Sequence, residues 1–324
     1  MEPENDHHCN NTVQSMVATI LPPVLIIELL FGLPSNLVAL WIFCCRMEAW
    51  RANVVFLFNL MIADFLLLIS LPFRIDTLLR GENWIFGDAW CRMNLFMLAI
   101  NRSASIAFMT AVATDRYFKV VHPHHRINRI TKKQAWILAG VMWLVMISLR
   151  LPLLTNKLLK ENAIKHQLCR SFDSYGKLSP SMRLHYGIYI LEFFLPFLVL
   201  LFCCVCITCI LRQRQMAKER KVRRAIRTVM VIVVVFVVCF SPGILTGLIT
   251  MIWKSVYPND CYTYRLFGEL FSLSISLTYL NSVLDPIIYC FSSSMFRNTL
   301  KSSINQMGLI ELQMSRRGSM TSDA

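Results

Sequence analysis

Seven stretches of about twenty or more mostly apolar residues, the length that crosses a bilayer core, limit what this chain can become. They fall at about 17–45, 53–79, 89–120, 132–152, 184–211, 225–253 and 266–291. A segment in lipid must satisfy its own backbone hydrogen bonds, so each is expected to be a helix. No period-two alternation of the barrel kind competes with that reading. Only 16% of the 324 residues are charged and 56% are hydrophobic, whereas a soluble domain is about a quarter charged. The expected architecture is all-α, a seven-transmembrane helix bundle. Residues 1–16 form an outer amino-terminal tail, 17–291 the bundle, and 292–324 a short cytoplasmic amphipathic helix with a tail.

The net charge of +14 is arranged for a membrane rather than for nucleic acid. Arg46 and Arg51 follow the first span. Arg116, Lys119, Arg126, Arg129, Lys132 and Lys133 follow the third. A run from Arg212 to Arg227 follows the fifth. These alternate loops mark the cytoplasmic side, with the amino terminus outside. Residues 1–16 carry no Lys or Arg, so the first span is expected to act as its own signal. Asn10 opens a glycosylation sequon with Thr12, which suits an exported tail. The loop between spans four and five is also basic, with Lys157, Lys160, Lys165, Arg170 and Lys177, and would draw an anionic ligand toward the outer face. Cys9, Cys91, Cys169 and Cys261 fall outside, where disulfides persist. Four cysteines permit three pairings, and spacing does not choose among them.

Polar residues inside the spans narrow the function. Asp64, Asn101, Ser105, Asn281 and Asp285 are each costly alone in lipid and are expected to form one hydrated cluster. Two carboxylates among neutral oxygens suit a small hard cation or a shared proton. Arg102 lies in the third span, about 16 Å below Cys91 at 1.5 Å per residue, and so in the outer half. Arg116, fourteen residues on, is about 21 Å deeper, beside the basic cytoplasmic loop. A guanidinium in hydrocarbon costs roughly 3 kcal/mol or more unless it has a partner. Glu192, in "LEFFLP", is the best internal candidate; a ligand acid is the other.

The motifs in chain order carry a resemblance. They are "LMIAD" ending in Asp64, "DRY" (Asp115, Arg116, Tyr117), Trp143, "FFLP", "CFSP" and "NSVLDPIIY". Together they resemble a rhodopsin-like G-protein-coupled receptor over essentially the whole chain. "LVALWIFCC", "NLFMLAINRSAS", "DRYFKVVHPHH" and "TYLNSVLDPIIYCFSS" narrow it to the hydroxycarboxylic acid and oxoeicosanoid receptor group, nearest the oxoeicosanoid receptor. Departures from the wider family are Phe240 in place of tryptophan, Asp285 in place of asparagine and Ser35 in place of glycine.

The resemblance implies a role for each matching residue. Arg102 grips the ligand carboxylate, with Arg74, Leu98, Ser171, Phe172 and Tyr279 completing the ligand site. Asp115, Arg116 and Tyr117, with Asp285, Pro286 and Tyr289, form the switch that meets the G protein. Asp64, Asn101, Ser105, Asn281 and Asp285 match a sodium site, and sodium is the one allosteric ion expected. A Cys91–Cys169 disulfide is implied, which leaves Cys9–Cys261 as the second outer pair. Gly247 stands where small-acid receptors of the group carry an arginine, which is expected to leave apolar room for a longer acid. The expected function is a plasma-membrane receptor for a carboxylic acid, of the oxidised long-chain fatty acid type. A small hydroxycarboxylic acid (the lactate, 3-hydroxybutyrate or niacin type) is the alternative. The expected partners are an inhibitory heterotrimeric G protein and arrestin, the latter aided by phosphorylation of Ser319 in "RRGS". An enzyme is not expected, because "HPHH" at 122–125 lacks an accompanying metal-ligand set. A carboxylate transporter would show internal repeats, and none is evident.

Overall fold

The computed structural model describes residues 16–47, 50–161, 165–171, 180–213, 220–257 and 260–305. Its spans are α1 (Met16–Trp41, continued by a π-helical turn Ile42–Arg46), α2 (Ala52–Leu79), α3 (Gly87–Val121) and α4 (Lys132–Arg150), followed by α6 (Pro180–Gln213), α7 (Arg220–Val256) and α8 (Cys261–Ser292). A single turn, α5 (Pro152–Thr155), caps the outer end of α4. Residues 294–305 form one more helix, α9, at the inner face. Seven of these helices are long and apolar enough to cross a membrane.

Helices α2 and α3 lie at the centre, and their buried faces include Asp64, Asn101, Arg102 and Ser105. Helices α4 and α6 turn bulky apolar residues outward, such as Leu144, Leu191 and Leu198. That arrangement costs little where the solvent is lipid. The inward stripe of α4 is Ala135, Ala139, Met146 and Arg150, all within about 60° at 3.6 residues per turn. Two alanines let α4 approach closely, and Trp143 Nε1 donates to Asn59 Oδ1 on α2 at 2.8 Å. The helix starts on a capping box. Thr131 Oγ1 accepts from Gln134 N at 3.3 Å, and Gln134 Oε1 accepts from Thr131 N at 2.9 Å.

The outer loop between α4 and α6 carries an antiparallel hairpin, β1 (Leu159–Glu161) and β2 (Gln167–Cys169). A Cys91–Cys169 disulfide ties β2 to the top of α3. Trp84 N donates to Gln167 O at 2.8 Å and joins the hairpin to the first outer loop. At the inner face α9 docks through Phe296, whose ring lies 5.2 Å from Phe43 and 5.7 Å from Tyr289. One expectation needs correcting here. Arg223, Arg224 and Arg227 belong to α7 rather than to a loop, because the helix begins at Arg220. Lys and Arg are good helix formers, so the helix runs past the apolar segment into water.

Cys9, Asn10, Phe172 and Ser319, with the side chain of Cys261, lie outside the described residues. The expected Cys9–Cys261 pair, Asn10 glycan and Ser319 phosphorylation site therefore fall outside them. Among the described residues, the eight cysteines at 44, 45, 203, 204, 206, 209, 239 and 290 are free thiols.

Candidate functional site

Arg102 is 6% exposed on α3. Its guanidinium carbon lies 3.8 Å from the centroid of the Tyr189 ring on α6 and 5.9 Å from that of Phe240 on α7. Phe240, the departure from tryptophan, is thus part of the arginine's apolar cradle. Nη1 of Arg102 stands 3.6 Å from Glu192 Oε2, beyond hydrogen-bonding distance. Among the described residues, neither terminal nitrogen of Arg102 has a hydrogen-bond partner.

Glu192 is held mainly by a second arginine. Arg150, 1% exposed at the outer end of α4, donates from Nη2 to the same Glu192 Oε2. Its Nε donates to Ser103 Oγ at 3.1 Å, and its Nη1 lies 3.0 Å from His185 Nδ1. Ser103 Oγ is in turn 3.0 Å from both carboxylate oxygens of Glu192. The stripe His185, Tyr189, Glu192 recurs at four and three residues, which is what presents all three side chains on one face of α6. The expected partner for Arg102 is found: Glu192 forms an ion pair with it at 3.6 Å, and Arg150, unexpected there, engages the same carboxylate more closely. Arg150 is not singled out by any sequence motif. Its signal is its place on the buried stripe of α4, where charge is least expected.

The other ligand-site candidates divide. Tyr279 belongs to an apolar cluster of α1, α2 and α8 that includes Leu21, Leu71 and Ile75, and Leu98 of α3 packs against that cluster. Arg74 is half-buried near the outer end of α2. The Ser171 carbonyl accepts from Tyr186 OH at 3.4 Å. The contacts of Arg102 run instead to α6 and α7. The room expected beside Gly247 is also corrected. A Cβ there would stand 3.0 Å from Cε2 and 3.2 Å from Cδ2 of Phe271, so the space is filled by an α8 ring.

Deeper in the bundle, Asp64, Asn281, Ser105 and Asp285 are each fully buried. Tyr289 OH donates to Asp64 Oδ2 at 2.9 Å, and Asn281 Nδ2 donates to Asp285 Oδ2 at 3.0 Å. Asn101 Nδ2 donates to the Ala63 carbonyl at 3.0 Å and to Ser282 Oγ at 3.3 Å. Among the described residues, Asp64 Oδ1, Asp285 Oδ1, Asn281 Oδ1 and Ser105 Oγ have no hydrogen-bond partner. All four are oxygens, the ligand type that small hard cations prefer.

At the inner end of α3, Arg116 Nη2 is 3.4 Å from Asp115 Oδ2. Lys119 Nζ is closer, 2.7 Å from Asp115 Oδ1, so the carboxylate is shared. Tyr117 OH lies 3.2 Å from His122 Nε2. Pro286 lies within α8 between Asp285 and the buried Tyr289, so one helix joins the buried polar cluster to the inner end.

Residues 35–289 match the 7 transmembrane receptor (rhodopsin family) pattern. Human hydroxycarboxylic acid receptor 3 is 44% identical over 291 residues, 90% of this chain and 74% of that protein. Human oxoeicosanoid receptor 1 is 39% identical over 288 residues, 89% of this chain and 73% of that protein. The mouse 12-(S)-hydroxy-5,8,10,14-eicosatetraenoic acid receptor is 33% identical over 309 residues, covering 95% and 94%. Such receptors couple a small-molecule or lipid ligand to a G protein. With the seven spans and the buried polar clusters, these matches establish that the chain belongs to the rhodopsin family of seven-transmembrane receptors and is a multi-pass protein of the plasma membrane.

Proposed function

We propose that the receptor is switched by a carboxylic acid entering from the outer side and gripped by Arg102. The observation that carries this reading is the buried guanidinium of Arg102, whose terminal nitrogens lack hydrogen-bond partners among the described residues. A buried donor without an acceptor costs about 1–3 kcal/mol, more when charged. A ligand carboxylate removes that cost by a charge-assisted bond, bidentate where both nitrogens are reached. Arg150 makes this possible by engaging Glu192, which would otherwise be the acceptor for Arg102.

An oxidised long-chain fatty acid is the first reading of the ligand, and it rests on the motif resemblance to the oxoeicosanoid receptor. A small hydroxycarboxylic acid is the second. The Phe271 ring against Gly247 favours the second, because it fills space that a long chain would use. We further assign the cytoplasmic partners as an inhibitory G protein at Arg116 and arrestin at the tail, with sodium held by Asp64, Asn101, Ser105, Asn281 and Asp285 in the resting state.

The test is a series of carboxylates from about three to twenty carbons, with their methyl esters, on cells expressing the receptor. The expected result is that acids, not esters, lower cyclic AMP in a pertussis-toxin-sensitive way, with the length of the best acid choosing between the two ligand readings. Equal potency of acids and esters would overturn the proposal. Acid uptake without any change in cyclic AMP would point to transport instead.

A further inference from the structure

Arg102, Arg150 and Glu192 together carry more information than a single anchor does. Both arginines approach one atom, Oε2 of Glu192. The two guanidinium groups therefore sit side by side with one carboxylate between them. His185 adds no charge to this count: its Nδ1 faces the Arg150 donor at 3.0 Å, and only the lone-pair side of a neutral imidazole can accept there. Among the described residues, two positive groups and one negative group leave a single net positive charge in a buried place.

We infer that Glu192 is a resident counter-charge that restricts this site to ligands bearing one anionic group, and that Arg150 is the arm that keeps Glu192 from neutralising Arg102. This rests on the acid-binding reading above and adds to it the ligand's charge. An acid with one carboxylate brings the cluster to neutrality. An acid with two carboxylates at the same end leaves a buried negative charge without a partner, which is strongly disfavoured. Glu192 is thus a specificity residue acting against dianions, a use of repulsion to reject a ligand rather than of attraction to hold one. Arg150 is a positioning residue. Without it, Glu192 keeps its Ser103 contact but has Arg102 as its one remaining cation among the described residues, and the site closes on itself.

The experiment measures equilibrium affinity on the purified full chain by titration calorimetry. The probes are two matched pairs, butanoate with ethylmalonate and dodecanoate with decylmalonate. Each malonate is the corresponding acid with one further carboxylate on its second carbon, so the pairs cover both ligand readings. The wild-type chain is expected to prefer the monoanion of the pair it binds. Glu192→Gln keeps the side-chain shape and removes the charge. It is expected to shift the dianion-to-monoanion ratio toward the dianion by about tenfold or more, which corresponds to about 1.4 kcal/mol. Arg150→Met is expected to weaken monoanion binding by about tenfold or more. The double variant Arg150→Met with Glu192→Gln has the wild-type charge count and is expected to recover monoanion affinity to within about threefold, a rescue that a merely structural role would not produce. Acids that bind with an unchanged ratio in Glu192→Gln overturn the charge count alone. Should Arg150→Met fail to fold, that ratio still decides. Failure of every acid to bind the wild-type chain overturns the acid reading and this inference together.

Discussion

Arg102 lies with its guanidinium carbon 3.8 Å from the centroid of the Tyr189 ring. The contact spends the flat face of the cation on an aromatic surface and leaves its in-plane N–H donors for an acceptor. A desolvated pair of this kind is worth about 2 kcal/mol. Tyr189→Leu should weaken acid potency by roughly tenfold or more in a cyclic AMP assay, while Tyr189→Phe, which keeps the ring, should retain most of it. Equal losses in the two variants would place the role in the hydroxyl instead.

Gly247 and Phe271 give a second prediction. A methyl group at position 247 would press on the Phe271 ring at 3.0 Å, and overpacking of that kind costs about 1–3 kcal/mol. Replacing a helical glycine returns up to about 1 kcal/mol of backbone preference, so the net change for Gly247→Ala should be destabilising. The substitution should cost less when Phe271 is first shortened to leucine. Thermal unfolding of the four purified forms measures the coupling. Additive effects would mean that the ring does not meet the new methyl group.

The shared carboxylate at the inner end of α3 predicts the basal activity. Asp115 engages Lys119 at 2.7 Å and Arg116 at 3.4 Å. Lys119→Met should strengthen the hold on Arg116 and lower ligand-free nucleotide exchange on the G protein, and Asp115→Asn should raise it. Partly exposed pairs are worth up to about 1 kcal/mol, so changes of up to about fivefold are expected. Opposite signs would remove Asp115 from the switch.

Sodium predicts a fourth result. A cation that prefers the resting arrangement stabilises it by its differential affinity for the two states. Sodium should therefore lower agonist affinity in the wild-type chain, and Asp64→Asn should abolish the effect. A sodium effect of the same size in Asp64→Asn would leave Asp64 and Asp285 as hydrogen-bonding groups only.

The bundle was legible because lipid imposes one rule on every spanning segment, and the apolar runs end close to where the helices do. Arg102, Asp64 and Asp285 were legible for the same reason, since an ionisable group in an apolar run stands out. Arg150 was not. It lies two residues before Pro152 at the end of its run, where an arginine normally reaches for water. Only the inward direction of the Ala135–Ala139–Met146 stripe reveals that it is buried. The occupant of the space beside Gly247 was likewise hidden, because Phe271 reaches it from another helix and no pattern within α7 encodes that neighbour. The sharing of Asp115 with Lys119 follows from a four-residue helical spacing, but the "DRY" motif draws attention to Asp115, Arg116 and Tyr117 and stops short of Lys119.

The central claim is that Arg102 meets a ligand carboxylate, and one comparison tests it most directly: the potency of the best acid of the carboxylate series on Arg102→Ala against the wild-type receptor at matched surface expression. Losing one partner of a buried charge-assisted pair costs about 2–5 kcal/mol, so potency should fall by roughly thirtyfold or more. Unchanged potency in Arg102→Ala would contradict the account.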